Sequence, residues 1–263
     1  WGARARIRIE RERESARYGP EIAKLVQSAP GAFHAGDIDR ASELFRQAAE
    51  ASLTNKQTIA ADEFDYTRGS ILLQAERHDA AAEVFDGLIS RSPVGPHTRE
   101  ADLLRAYAWG RVYQEQPTRM HRERYAAALA EHRRQYAGTA SGAEATWMLA
   151  AFEEGRNQWT IALPLYLELA DNPTHGAAAQ VRAAVLYELI LRRLREIRQP
   201  VNAWEDQAVE ELATIVRRYP ESPADWTATQ AEVCIRLVGI VLSHREHPYA
   251  EADRLLEPVL HAG

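Results

Sequence analysis

His244 and His247 stand three residues apart with Glu246 between them, a spacing that places two imidazoles on one helix face where a metal ion would be held. A zinc site takes three or four converging ligands, and no companion Cys or His motif accompanies this pair, so the pair reads as structural and no metal is implied. The single cysteine, Cys234, lies among Val233, Ile235, Leu237 and Val238, surroundings that keep a thiol protonated and inert. One cysteine also excludes an intramolecular disulfide. Glu153-Glu154 and Glu210-Glu211 are adjacent pairs, which on a helix point about 100° apart and cannot share a proton between them. The sequence holds no glycine-rich phosphate loop, no nucleophile elbow and no HExxH. It therefore reads as non-catalytic, with no catalytic residue and no cofactor to name.

Arginine is the other candidate for chemistry. Of the 32 basic residues only Lys24 and Lys56 are lysines, against 38 acidic residues, for a net charge of -6. Two clusters stand out, Arg119, Arg122, Arg124, Arg133 and Arg134, and then Arg192, Arg193, Arg195 and Arg198. Both are interleaved with acids (Glu123 and Glu131, then Glu196), the pattern of a solvated helix face with paired charges. Together with the overall acidity this argues against a nucleic-acid partner, which would call for a basic stripe. Residues 1–19 form a charged leader in which Arg4, Arg6, Arg8, Arg11, Arg13 and Arg17 outnumber Glu10, Glu12 and Glu14, six to three. It reads as a frayed helix, or as the segment beside a membrane tether upstream of residue 1, since the first residue is Trp1 rather than Met.

These residues must be carried by helices. Apolar residues are 46% and charged residues 27% of the chain, values of a folded globular protein. No apolar run approaches the roughly 18 residues of a membrane-spanning helix. Apolar positions recur three and four apart, as in Leu44, Phe45, Ala48 and in Leu186, Leu189, Ile190, Leu194, the helical period. Pro93, Pro96, Pro117, Pro173, Pro200, Pro220, Pro223 and Pro248 punctuate the helices. Ser141 with Glu144 and Asn202 with Glu205 have capping-box spacing, and Ser222 precedes Pro223 as a further start.

The chain also repeats itself. A large residue recurs at Phe45, Phe85, Tyr125, Tyr166, Leu212 and Leu256, 40 to 46 residues apart. Alanine stands four residues before five of these six, at Ala41, Ala81, Ala162, Ala208 and Ala252. Small residues Ala29, Gly69 and Ala150 come twelve residues earlier still, and Trp109, Gly110 and Tyr113 mark the third unit. In helix pairs the small residue would face the alanine so that backbones approach closely, with the large residue filling toward the next pair. Six hairpins are expected, near 20–34 with 37–52, 59–75 with 79–91, 98–115 with 118–136, 141–155 with 158–171, 175–198 with 203–218, and 224–244 with 248–261. No pair covers its apolar faces alone, so pairs must stack into a repeat array over 20–263.

At these residues the chain resembles the tetratricopeptide repeat family, whose pattern is Leu-Gly-x-x-Tyr in the first helix, Ala-x-x-x-Phe in the second, and Pro after it. The second unit matches best, with Gly69, Ala81, Phe85, Leu88 and Pro93. Units of 40 to 46 residues exceed the family's usual length of about 34. The turn segments Arg218-Tyr219-Pro220-Glu221-Ser222-Pro223-Ala224 and Tyr136-Ala137-Gly138-Thr139 resemble the bacterial envelope branch of that family, which includes outer-membrane assembly lipoproteins and periplasmic cell-division coordinators. The resemblance implies an all-α, right-handed α-α superhelix that binds a peptide or partner protein in a concave groove lined by the first helices. Carried over from Gly69, Gly110 and Ala150, the groove residues are Tyr66, Ser70, Gln74, Tyr107, Arg111, Gln114, Trp147, Ala151 and Glu154. The family's carboxylate clamp of Lys, Asn and Arg has no Lys or Asn at the corresponding positions. The rival readings are an α/α-toroid enzyme acting on a polymer and a nucleic-acid binder using the arginine clusters.

Overall fold

The computed structural model describes residues 12–244 and residue 252. Among these residues every regular element is helical. A helix over 12–18 is followed by α1 (Pro20–His34), α2 (Ile38–Thr54), α3 (Thr58–Gln74), α4 (His78–Arg91), α5 (Thr98–Glu115) and α6 (Arg119–Gln135). Then come α7 (Ala140–Gly155), α8 (Trp159–Glu168), α9 (Gly176–Glu196), α10 (Asn202–Val216), a 3-10 turn at Pro223–Asp225 and α11 (Ala228–His244). The expected hairpins are all present as far as Val216. The partner expected for α11, over 248–261, lies outside the described residues apart from Ala252, which is helical and buried. No described helix is long and apolar enough to cross a membrane.

Prolines separate the helices as expected between α4 and α5, α5 and α6, α8 and α9, and α9 and α10, while Pro30 and Pro164 lie inside α1 and α8. The expected caps are corrected. α7 is capped by the Thr139 hydroxyl, which accepts from the Gly142 N–H at 3.1 Å, and Ser141 already lies inside the helix. Asn202 is likewise inside α10 and provides no cap. The reciprocal box occurs instead where Thr227 and Gln230 exchange hydrogen bonds of 2.9 and 3.3 Å at the start of α11, downstream of the Ser222-Pro223 start. Asp37 and Thr118 cap α2 and α6 in the ordinary way.

Five of the chain reversals share one backbone device. Gly36, Lys56, Glu76, Asn157 and Arg198 all adopt positive φ, between 53° and 79°. In each turn that residue's N–H returns to a carbonyl three residues back and the next N–H to one five residues back, as in Glu76 to Leu73 and Arg77 to Leu72. Only one of the five is glycine. A side chain in the left-handed region costs about 1–2 kcal/mol, against about 0.5–1 kcal/mol for the extra freedom glycine has when unfolded. Glu76→Gly is therefore expected to stabilise the protein by up to about 1 kcal/mol, read as a higher urea midpoint at unchanged m-value.

The chain forms two compact units, Trp1–Tyr136 and Ala137–Gly263. In the first, each helix from α1 to α6 packs on its neighbours in sequence. The helix at 12–18 is anchored to this unit at its C-terminal end. Its Tyr18 is buried with Ile22, Phe45 and Phe64, meets the Phe64 ring edge-on at 5.1 Å and donates to Glu63, while Arg17 pairs with Glu63 at 2.8 Å. Residues 1–11, with most of the leader's arginines, lie outside the described residues.

The small residues of the repeat have a different partner from the one expected. The two glycines lie under aromatic rings of the second helices. A Cβ built on Gly69 would come within 2.6 Å of the Phe85 ring, and one on Gly110 within 2.9 Å of the Tyr125 ring. The α3–α4 and α5–α6 hairpins thus close by laying the second-helix aromatic directly on the first-helix backbone. The alanines Ala41, Ala81, Ala162, Ala208 and Ala252 are all buried as well. In the second unit α7 packs on α8, α8 on α9, and α9 on both α10 and α11.

Candidate functional site

The nine residues carried over as a groove divide between the two units, and the structure gives them unequal roles. In the first unit Tyr66 is half-buried, packed against Phe85 and stacked on His97 with ring centroids 4.9 Å apart. The Ser70 hydroxyl donates to the Tyr66 carbonyl at 2.9 Å. Gln74 is exposed, one residue beyond the position that Gln114 and Glu154 occupy relative to their small residues. Tyr107 is the most open aromatic of the set, at 46% exposure, and Arg111 reaches Gln114 at 3.0 Å.

In the second unit Trp147 repeats the environment of Tyr66. It meets Tyr166 edge-on at 5.3 Å and stacks on His175 at 5.2 Å with the planes 12° apart. His97 and His175 both stand immediately before the first helix of the following hairpin, so the same aromatic–histidine stack ties successive hairpins in each unit. His175 is fixed from its other side by Glu144, 3.0 Å from Nε2. Trp147 is therefore partly a packing residue.

Trp147, Ala151 and Glu154 nevertheless converge. With Trp159, Tyr166, Arg182 and Leu189 they line an open cavity of about 680 Å³ on the first-helix side of the unit. Glu154 is held from two sides, accepting from the Tyr166 hydroxyl at 2.7 Å and from the Arg182 Nε at 3.0 Å, with a second guanidinium contact from Arg182 Nη2. The carboxylate is only 12% exposed, while Arg182 remains 43% exposed. The cavity thus combines two indoles and a leucine with a guanidinium at its edge. Arg182 and Trp159 were not foreseen. Arg182 is 28 residues from its carboxylate, on the next hairpin, and no local pattern marks it.

Tyr166 remains a donor to Glu154 because burial pushes its hydroxyl up to about 12. Burial and the nearby Glu63 raise Tyr18 to the same value, and burial raises Tyr125, Tyr136, Tyr187 and Tyr219 too. A folded pKa above the unfolded value of about 10 means stability that is complete below pH 10 and lost as pH rises. Tyrosine ionisation followed by ultraviolet absorbance is expected to lag behind that of the free side chain and then rise with cooperative unfolding near pH 12.

The other sequence candidates fall into place as packing or pairing. Cys234 is buried, and burial pushes its thiol up. Arg119 pairs with Glu123 at 2.7 Å and Arg193 with Glu196 at 3.3 Å, as a paired surface requires. Glu131 departs from that pattern, reaching Arg105 on α5 at 3.2 Å. Glu246 and His247 lie outside the described residues.

No family model matches the sequence, and no curated protein matches it. Among solved structures, a TPR repeats protein of Bacteroides fragilis is similar over 89% of this chain and 97% of its own, with TM-score 0.48 and 15% identity. A thermophilic TPR protein of Thermus thermophilus is similar over 84% of this chain and 99% of its own, with TM-score 0.38 and 16% identity. An S. pombe nuclear import adaptor is similar over 92% and 98%, with TM-score 0.31 and 12% identity. These are likenesses of fold alone, and the all-α hairpin-repeat architecture is the one that the chain's own helices display.

Proposed function

We propose that the protein is a non-catalytic scaffold that binds a partner protein or peptide, and that the first-helix face of its second unit is a docking surface. The observation that carries this reading is the cavity of about 680 Å³ into which Trp147, Ala151, Trp159, Arg182 and Leu189 converge. Glu154 is already matched by Tyr166 and Arg182, so the cavity favours a bulky apolar side chain on a neutral or acidic segment. The turn segments around Tyr136 and Tyr219 support a place in the bacterial cell envelope, which fractionation of the host checks.

Ala151 is exposed, so Ala151→Arg obstructs the cavity without removing any packing. Peptides selected from a displayed library on the full chain are expected to bind the Ala151→Arg variant at least tenfold more weakly, about 1.4 kcal/mol, with circular dichroism unchanged. Selected peptides that bind both proteins equally would place the docking surface elsewhere. Arg111→Ala tests the first unit in the same assay.

A further inference from the structure

The first unit has a cavity of its own, which none of the groove residues lines. It measures about 400 Å³ and lies between the second helices α4 and α6, lined by Glu83, Asp86, Arg105, Trp109, Arg124 and Glu131. Three features of its lining bear on what it accepts. The first is an excess of carboxylates. Glu83, Asp86 and Glu131 stand on the walls, and the one buried guanidinium among them, Arg105, is also bound to Asp102 at 2.5 Å. Glu83 has no ion pair among the described residues. The second is Arg105 itself, nine-tenths buried, whose guanidinium reaches Asp86 on α4 at 3.3 Å and Glu131 on α6 at 3.2 Å and so holds two of these carboxylates in place.

The third is the chain's own Arg124. Its guanidinium lies over the Trp109 indole, 4.5 Å from the ring centre. Arg124 is on the exposed side of α6 and has no ion pair among the described residues, so only this stacking contact holds it. The indole face within a ring of carboxylates therefore accommodates a guanidinium, and the one present is attached to a flexible stem with little to retain it.

We propose that this cavity is a recognition site for an arginine side chain of a basic partner segment, and that Arg124 is an internal occupant which such an arginine displaces. The incoming guanidinium takes the place on Trp109 and pairs with the unpaired Glu83. Arg124 acts as a competitor that sets the affinity, since it must leave before the ligand enters. The site is separate from the cavity of the second unit and selects the opposite charge.

The test is isothermal titration of the full chain at low salt with acetyl-Ala-Arg-Ala-amide, with acetyl-Ala-Glu-Ala-amide as control. Arg124→Ala is expected to bind the arginine peptide at least fivefold more tightly than the unaltered chain. Adding Glu83→Gln and Glu131→Gln to that variant is expected to return affinity to within twofold of the starting value, and the glutamate peptide gains nothing. The proposal is overturned if Arg124→Ala gives a smaller gain, if the gain survives loss of both carboxylates, or if the glutamate peptide gains equally. Arg124→Gln, which keeps the aliphatic stem over the indole, repeats the test should the alanine variant lose helicity.

Discussion

Replacing Asp102 with alanine is expected to destabilise the first unit by about 3–5 kcal/mol, the cost of breaking a buried ion pair from one side. Asp102 is buried on α5, where one carboxylate oxygen accepts from Nδ1 of the fully buried His132 at 2.9 Å and the other forms an ion pair with the Arg105 guanidinium at 2.5 Å. The Nε2 of His132 has no partner among the described residues, so without Asp102 neither ring nitrogen would be matched. Arg105 would retain Asp86 and Glu131, both at longer range and about half exposed. Urea denaturation followed by far-ultraviolet circular dichroism measures the loss. If the effect comes from stranded polar groups, then replacing all three residues, as Asp102→Leu with Arg105→Met and His132→Leu, should recover much of it. A triple variant less stable than Asp102→Ala would instead assign the network a role in defining the packing of α5 against α6.

The second large effect belongs to the closure of the α3–α4 hairpin. Phe85→Ala is expected to cost about 3–5 kcal/mol, because the ring is fully buried and leaves a cavity over Gly69. Gly69→Ala is the complementary probe. The added methyl group would overlap a ring that has no free space to enter, for about 1–3 kcal/mol, partly offset by about 1 kcal/mol of better helix propensity. The combination Gly69→Ala with Phe85→Leu should cost less than the two single changes added together, since the smaller side chain makes room for the methyl group. A coupling of at least 0.5 kcal/mol, roughly the lower bound for residues in contact, is the quantity to measure. Additive costs would mean that the two residues do not share one space.

Much of this architecture could be read from local chemistry. Helix bounds followed from prolines and apolar periodicity, and the 40-residue recurrence of Phe45, Phe85 and Tyr125 marked the hairpins because close helix packing demands one large and one small residue per pair. The partners within each pair were less legible. Spacing places Ala81 and Gly69 on facing helices, but only the three-dimensional crossing shows that the Phe85 ring, not Ala81, covers the glycine. Caps failed where two competent residues stood close together. Thr139 and Ser141 both carry hydroxyls, and which of them caps α7 depends on where the preceding chain turns.

Polar contacts between helices carried the least local signal. Asp102 and His132 are 30 residues apart, and Arg182 and Glu154 are 28 apart, separations set by loop lengths that no short-range pattern encodes. A buried aspartate on an otherwise apolar helix face is also indistinguishable in sequence from one that merely interrupts it. Trp109 illustrates the same gap from the other side. Its type and position marked a first-helix packing residue, which it is, but the guanidinium on its face comes from the next helix.

The reversals at Gly36, Lys56, Glu76, Asn157 and Arg198 lead to one more conclusion. Five residues with nothing chemically in common complete the same hydrogen-bonded loop. What recurs along this chain at its corners is a shape and not a letter, so sequence drift at these positions changes surface charge while the direction of the chain is preserved. Corners of this kind are interchangeable parts. Exchanging the tetrapeptides around Lys56 and Glu76 should leave both hairpins intact, and a protein built this way can alter its outer charge one corner at a time without redesigning its interior.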